Sequence, residues 1–184
     1  MKQSLFKWGI APLFAGALLA PTLTLAQAVP FTSTGWFVEE LVPGILCVSE
    51  SGQVSFKYEV HVARNESAEP RVAGRIRGVN LDVSVKPDGT GTFSGKGCLE
   101  VGSWDPAGVV FTRTDGAWDL GYEGIIHADG STEYRMSGRG IGGTVDGLYI
   151  IATCTRGPSP ADPYLFSGKI TGARQTPAAG REEL

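Results

Sequence analysis

Gln53-Val54-Ser55-Phe56-Lys57-Tyr58-Glu59-Val60-His61-Val62-Ala63 decides the fold, because Val54, Phe56, Tyr58, Val60 and Val62 alternate with Ser55, Lys57, Glu59 and His61. A period of two sends successive side chains to opposite faces, which suits a half-buried strand and no helix. The stretch predicts one strand with its valines and aromatics inward and with Lys57, Glu59 and His61 toward water. Shorter alternations recur at Leu81-Val83-Val85, Val109-Phe111, Trp118-Leu120-Tyr122 and Tyr134-Met136. Leu148 to Thr155 is a more continuous apolar, β-branched run, the pattern of a strand buried on both faces. No segment after residue 29 sustains a 3.6-residue period.

Between these runs stand four Asp-Gly pairs, Asp88-Gly89, Asp115-Gly116, Asp129-Gly130 and Asp146-Gly147. Both residue types tolerate positive φ, so each pair is a hairpin signal. Opposed residues share a face, and this sets the register. A two-residue loop at Asp115-Gly116 pairs Arg113 with Trp118, Phe111 with Leu120 and Val109 with Tyr122. A three-residue loop at Asp129-Gly130-Ser131 pairs Ile126 with Tyr134 and Gly124 with Met136, and the same construction at Asp88-Gly89-Thr90 pairs Val85 with Phe93 and Val83 with Gly95. Glycines thus lie opposite large apolar residues, which lets a ring cross bare backbone and a sheet bend. Ser94-Gly95-Lys96-Gly97 and Ser137-Gly138-Arg139-Gly140 end two strands alike, and Gly74-Arg75-Ile76-Arg77-Gly78 and Gly168-Lys169-Ile170-Thr171-Gly172 share a looser version. The expected fold is all-β: a single antiparallel β-barrel of about eight or nine strands, which removes exposed edges. A two-sheet sandwich is the alternative.

The chain has 184 residues, 42% hydrophobic and 19% charged, with 26 glycines and a formal net charge of −3. That is one modest core and one domain, and no polybasic nucleic-acid binder. Lys2 and Lys7 precede an apolar stretch, Trp8 to Ala20, and Leu25-Ala26-Gln27-Ala28 supplies small residues at a cleavage site. The stretch is broken by Pro12 and Gly16 and falls short of the roughly 20 residues of a spanning helix. Residues 1–28 are therefore expected to be a signal peptide, residues 29–172 the barrel and residues 173–184 a loose tail. The expected location is periplasmic or extracellular, with no membrane span once the signal is removed. Cys47, Cys98 and Cys154 permit one intramolecular disulfide, whose pairing stays open, or serve as small core residues.

Chemical motifs are sparse. His61 and His127 have no second histidine at metal spacing, and His127 falls across from Glu133. The Asp-Gly carboxylates form no calcium series. Gly138-Arg139-Gly140-Ile141-Gly142-Gly143 opens no helix, so it has no phosphate cradle. Arg75, Arg77, Lys96, Arg139 and Lys169 alternate onto the outer face. No cofactor and no metal are expected. What remains is an aromatic inner face: Phe56, Tyr58, Phe93, Phe111, Trp118, Tyr122 and Tyr134. Buried tyrosine hydroxyls need partners, and Arg113 is placed to stack near Trp118. Tyr58, Arg113, Trp118, Tyr122 and Tyr134 are the candidate ligand-binding residues.

The stretch from Trp118 to Gly147, with Tyr122-Glu123-Gly124, the Gly138 to Gly143 string and Asp146-Gly147, resembles the glycine-rich strand pairs of the allene oxide cyclase and dirigent-like barrel group. The resemblance spans some thirty residues. It implies a closed antiparallel barrel with an apolar cavity, used in that group to cyclise or orient reactive hydrophobic intermediates. No catalytic residue of the group maps onto this chain. Three functions follow as expectations. The first is an exported binder of a small hydrophobic or aromatic ligand. The second is a cyclase or isomerase in which a buried tyrosine or Glu123 assists proton movement. The third is a surface interaction protein with a filled core. An open cavity with a carboxylate beside a tyrosine favours the enzyme; an open apolar cavity without one favours carriage.

Overall fold

Alternating strands and glycine-bearing turns account for nearly all of the described residues. The structure, a computed structural model, describes residues 28–172. The signal peptide expected at the N-terminus and the tail expected over residues 173–184 lie outside the described residues, Ala28 apart. Ten strands follow in chain order: β1 Val29–Val42, β2 Ile45–Val48, β3 Val54–Lys57, β4 Glu59–Ser67, β5 Gly74–Val85, β6 Gly91–Trp104, β7 Phe111–Ile126, β8 Thr132–Ile141, β9 Tyr149–Arg156 and β10 Tyr164–Thr171. All pairings are antiparallel. Eight strands run β5-β4-β1-β10-β9-β8-β7-β6, and β6 pairs back onto β5 to close an antiparallel barrel. The outer strands β3 and β2 extend it, β3 on the C-terminal part of β5 and β2 on β3, leaving β2 as a free edge with Ile45, Leu46 and Val48 exposed.

Three Asp-Gly pairs lie in hairpin connections as expected, Asp146-Gly147 in the one between β8 and β9, where Gly147 takes φ 70°. At the β5–β6 turn Lys86 N–H donates to Thr90 O (2.8 Å), Gly89 takes φ 83°, and Asp88 Oδ1 accepts from Thr90 N–H (2.9 Å). The β7–β8 turn repeats this with His127, Gly130, Asp129 and Ser131. Each loop begins one residue earlier than the sequence suggests, so Val85 pairs with Gly91 rather than Phe93 and Ile126 with Thr132 rather than Tyr134. A slip of two keeps the side chains beside each turn on their expected faces. The expected contact of His127 with Glu133 is present, Nε2 to Oε1 at 3.7 Å.

Asp115-Gly116 is not a turn. The strand β7 passes straight through it, and Arg113 pairs with Gly102 while Trp118 pairs with Leu99 and Gly140. The Asp115 carboxylate instead accepts from Gly116 N–H at the β6–β7 irregularity (2.7 Å) and from Thr144 N–H in the turn that follows β8 (2.8 Å). The β6–β7 hairpin turns at Asp105-Pro106-Ala107-Gly108, where Asp105 Oδ1 accepts from Val109 and Val110 and Gly108 takes φ 71°. Nor is β9 buried on both faces: Ile150, Ala152 and Cys154 are buried and Tyr149, Ile151 and Thr153 exposed, because only one side of a barrel wall has a core to face.

One end of the barrel is packed solid. Trp118 is 0% exposed and lies among Leu99, Ile150 and Ile170, under two 3-10 turns, Pro70–Val72 and Gly143–Val145, whose Val72 and Val145 are the stoppers. Trp118 Nε1 donates to Arg71 O (2.7 Å) and Asn65 Nδ2 to Val72 O (2.6 Å), tying the first turn down. Gly140 opposite Trp118 and Gly138 opposite Leu120 give these side chains bare backbone to lie across.

Candidate functional site: a cavity at the open end of the barrel

The decisive stretch Gln53–Ala63 is two strands, not one. Tyr58 breaks it with φ 62°, the one non-glycine positive φ among the described residues, and donates its N–H to Asn80 O (2.7 Å). Directly across, β5 slips register against β6 between Asn80 and Asp82. The paired irregularities invert the alternation: Phe56 and Val83 line the interior on one side of the break, Glu59, His61, Ile76 and Asn80 on the other. So Glu59 and His61, expected in water, face the cavity. The reason is geometric: one residue in the left-handed region turns the chain over, after which odd positions point where even ones did. Lys57 stays outside, 3.9 Å from Asp82.

The cavity has a volume of about 380 Å³. Tyr134 is the centre of its aromatic wall, with ring centroids 5.5 Å from Phe93, 6.0 Å from Tyr122, 6.1 Å from Phe166 and 6.4 Å from Tyr164. Gly124 makes this clustering possible, since a Cβ there would stand 2.8 Å from Phe93 Cζ and nearer still to Tyr134 Cβ. Leu120 and Met136 lie at the depth; Ile126, Thr132, Arg156 and Pro160 ring the mouth.

One polar chain crosses this apolar lining. Tyr122 OH donates to Asn80 Oδ1 (2.9 Å), and Asn80 Nδ2 donates to Glu59 Oε2 (2.5 Å). Among the described residues that is the only hydrogen bond to the Glu59 carboxyl, and it has no ion pair. The His61 imidazole lies over Gly78. Arg156 spends Nε on Asp162 O and Nη2 on Ser159 O (both 3.3 Å), holds the 157–163 crossing at the rim, and rests its guanidinium 5.0 Å from the Tyr164 ring centroid.

Burial sets the protonation states. It pushes the Tyr122 phenol far up, helped by the negative charge of Glu59, and raises Tyr134 and Tyr164 as well, so all three are protonated donors at neutral pH. Burial lowers His61 below its ordinary 6.5, against a smaller opposing pull from Glu59, and the imidazole is neutral at pH 7. Cys154 behind Tyr134 is pushed up to about 12 and is no nucleophile.

Of the residues singled out from sequence, Tyr122 and Tyr134 line the cavity. Trp118 is sealed in the packed end, Arg113 is exposed with Nε on Asp115 O (2.8 Å), and Tyr58 is 56% exposed at the chain break. Phe111 lies under Arg75 (4.7 Å) beside Trp104, away from the cavity. Glu123 is exposed on the outer face because its neighbour Tyr122 points in; the carboxyl inside belongs to Glu59. Sequence reasoning missed Glu59, His61, Asn80, Arg156 and Tyr164. Tyr164 alone carried a signal, an aromatic two residues before Phe166 in period two.

All three cysteines are free, Cys47 exposed and Cys154 buried. Among the described residues no group of three His, Cys, Asp or Glu could hold a metal ion, and no helix is long and apolar enough to cross a membrane. No family model matches the chain, and neither the curated proteins nor the solved structures compared with it give a match.

Proposed function

We propose that this is an exported barrel that holds one small, largely apolar molecule, its body against the Tyr134-centred aromatic wall and its polar group on the Glu59–Asn80–Tyr122 chain. The observation that carries the reading is the cavity itself: a volume of about 380 Å³ lies within the range of small-molecule sites. Its lining is largely apolar, with Thr132 and Arg156 at the mouth, the Tyr134 and Tyr164 hydroxyls in the wall and one convergence of polar groups, Glu59, Asn80, Tyr122 and His61, the usual division between what supplies affinity and what fixes orientation. The signal-like N-terminus and the implied cavity of the allene oxide cyclase and dirigent-like group agree with it.

The test is retention. The purified protein is equilibrated with a mixed hydrophobic library, desalted, and analysed by mass spectrometry beside Thr132→Trp, which narrows the mouth without entering the packed end. Compounds should stay with the wild type and be lost from the variant at unchanged melting temperature. Retention by neither, at saturating library, overturns the reading.

A second reading, cyclase or isomerase chemistry, rests on one specific observation: a carboxyl one amide away from a phenol inside an apolar cavity. The phenol would only donate a hydrogen bond, since it is held protonated; Glu59 or neutral His61 would take the proton. Conversion of a retained compound that Glu59→Gln abolishes while keeping the compound bound separates catalysis from carriage.

A further inference from the structure

The charges that face the cavity are few. Inside is the Glu59 carboxyl, whose neighbour Asn80 is neutral. At the mouth, Glu40 is exposed and is the register partner of His61, so it stands on the same side as His61. Among the described residues the one cation lining the cavity is Arg156, with Nε and Nη2 given to carbonyls of its own loop and its face on Tyr164. His61 contributes no charge at neutral pH. A half-enclosed carboxyl with no cationic partner is an unfinished arrangement, because desolvated charges are normally paired. The rings around it offer electron-rich faces, which attract cations and repel anions.

Building on the reading that the cavity binds a small molecule, we infer that its ligands are organic amines, an aromatic or alicyclic body carrying one protonated nitrogen that pairs with Glu59 and lies against the tyrosine faces. A neutral hydroxyl could donate to the same oxygen but would leave the charge unmatched. A carboxylate head would meet Glu59 with like charge, and the Arg156 N–H groups that could draw it to the rim are already engaged.

Three probes with one ring and similar length separate these cases: phenethylamine, phenethyl alcohol and hydrocinnamate, titrated calorimetrically into the full chain at neutral pH and low salt. The amine should bind about tenfold tighter than the alcohol, because only the amine brings a positive charge to the Glu59 carboxylate, with hydrocinnamate weakest. Glu59→Gln, which keeps the shape and the acceptor for Asn80, should cost the amine about that same tenfold or more and cost the alcohol less, so that the preference for the amine disappears. The wild type alone gives an independent readout: added salt should weaken the amine and not the alcohol. Equal binding of amine and alcohol overturns the inference and leaves the cavity reading standing. Tightest binding of hydrocinnamate, lost in Arg156→Gln, overturns it in favour of an anion site. If none of the probes binds, the library experiment decides: retained compounds that are not amines sink this inference alone, and an empty library result sinks both.

Discussion

Replacing Gly78 with alanine tests the seat of the His61 ring on β5 through a single contact. The three heavy atoms nearest to an added Cβ all belong to the His61 ring, Cε1 at 2.6 Å, Cδ2 at 3.2 Å and Nε2 closer than either. The imidazole must therefore leave its place, and overpacking of this kind costs about 1–3 kcal/mol. Against this, alanine restricts the unfolded chain and returns roughly 0.4–1 kcal/mol. Gly78→Ala should thus destabilise the wild type by about 1 kcal/mol, yet stabilise a His61→Ala background by about 0.5 kcal/mol or more, a coupling of roughly 1.5–2 kcal/mol. Urea unfolding of the four proteins, followed by the fluorescence of fully buried Trp118, measures it. If His61 did not lie over its register partner Gly78, the two substitutions would simply add, and a coupling under about 0.5 kcal/mol refutes the contact.

Four further outcomes follow. His61 is depressed in the folded state, so its contribution to stability is fully present above its ordinary 6.5 and is lost as pH falls below that toward the lowered folded value; His61→Gln should flatten this part of a urea-midpoint series from pH 8 to pH 5, and an unchanged slope excludes the imidazole as its source. Tyr58→Gly should be more stable than Tyr58→Val by about 2 kcal/mol in thermal unfolding, because glycine accepts φ 62° freely and a β-branched residue does not; equal stabilities would mean the break is elsewhere. A maleimide reagent at pH 8 should label exposed Cys47 within minutes and leave Cys154, buried with its thiol pushed up to about 12, untouched until the protein unfolds; peptide mapping shows which. Tyr122→Phe should cost about 1 kcal/mol by leaving Asn80 Oδ1 without its donor, and a neutral result in denaturation counts against the polar chain.

The barrel could be read from residue types alone because its wall is made of period-two runs joined by turns with strong chemical signatures. The Asp88 and Asp129 loops show how far that goes: each turn lies one residue from where the sequence places it, yet the resulting slip of two leaves the residues beside the turns on their expected faces. Tyr122 and Tyr134 were found for that reason. Asp115-Gly116 shows the limit, since the same side-chain capacity to collect N–H groups serves an irregularity inside β7 as well as a hairpin. Glu59 and His61 were hidden by something smaller. A single dihedral at Tyr58, matched by a slip beside Leu81, reverses which residues face in, and nothing local in Lys57-Tyr58-Glu59 announces it. The alternation was real; its phase changed midway. Polar residues in a strand therefore read as outward until a break is located, and here the break made the site.

The first and last strands of the barrel are direct neighbours, with Val29 paired to Ile170 at the packed end, opposite the mouth. Anything attached through either end of the domain, whether an immobilisation tag, a fluorescent reporter or a surface tether, will hang below a sealed floor and hold the entrance pointing away from the attachment. Sensors and affinity matrices made from this scaffold can accordingly be anchored at either end without obstructing the opening, whereas insertions at the Asp88 or Asp129 loops would crowd it.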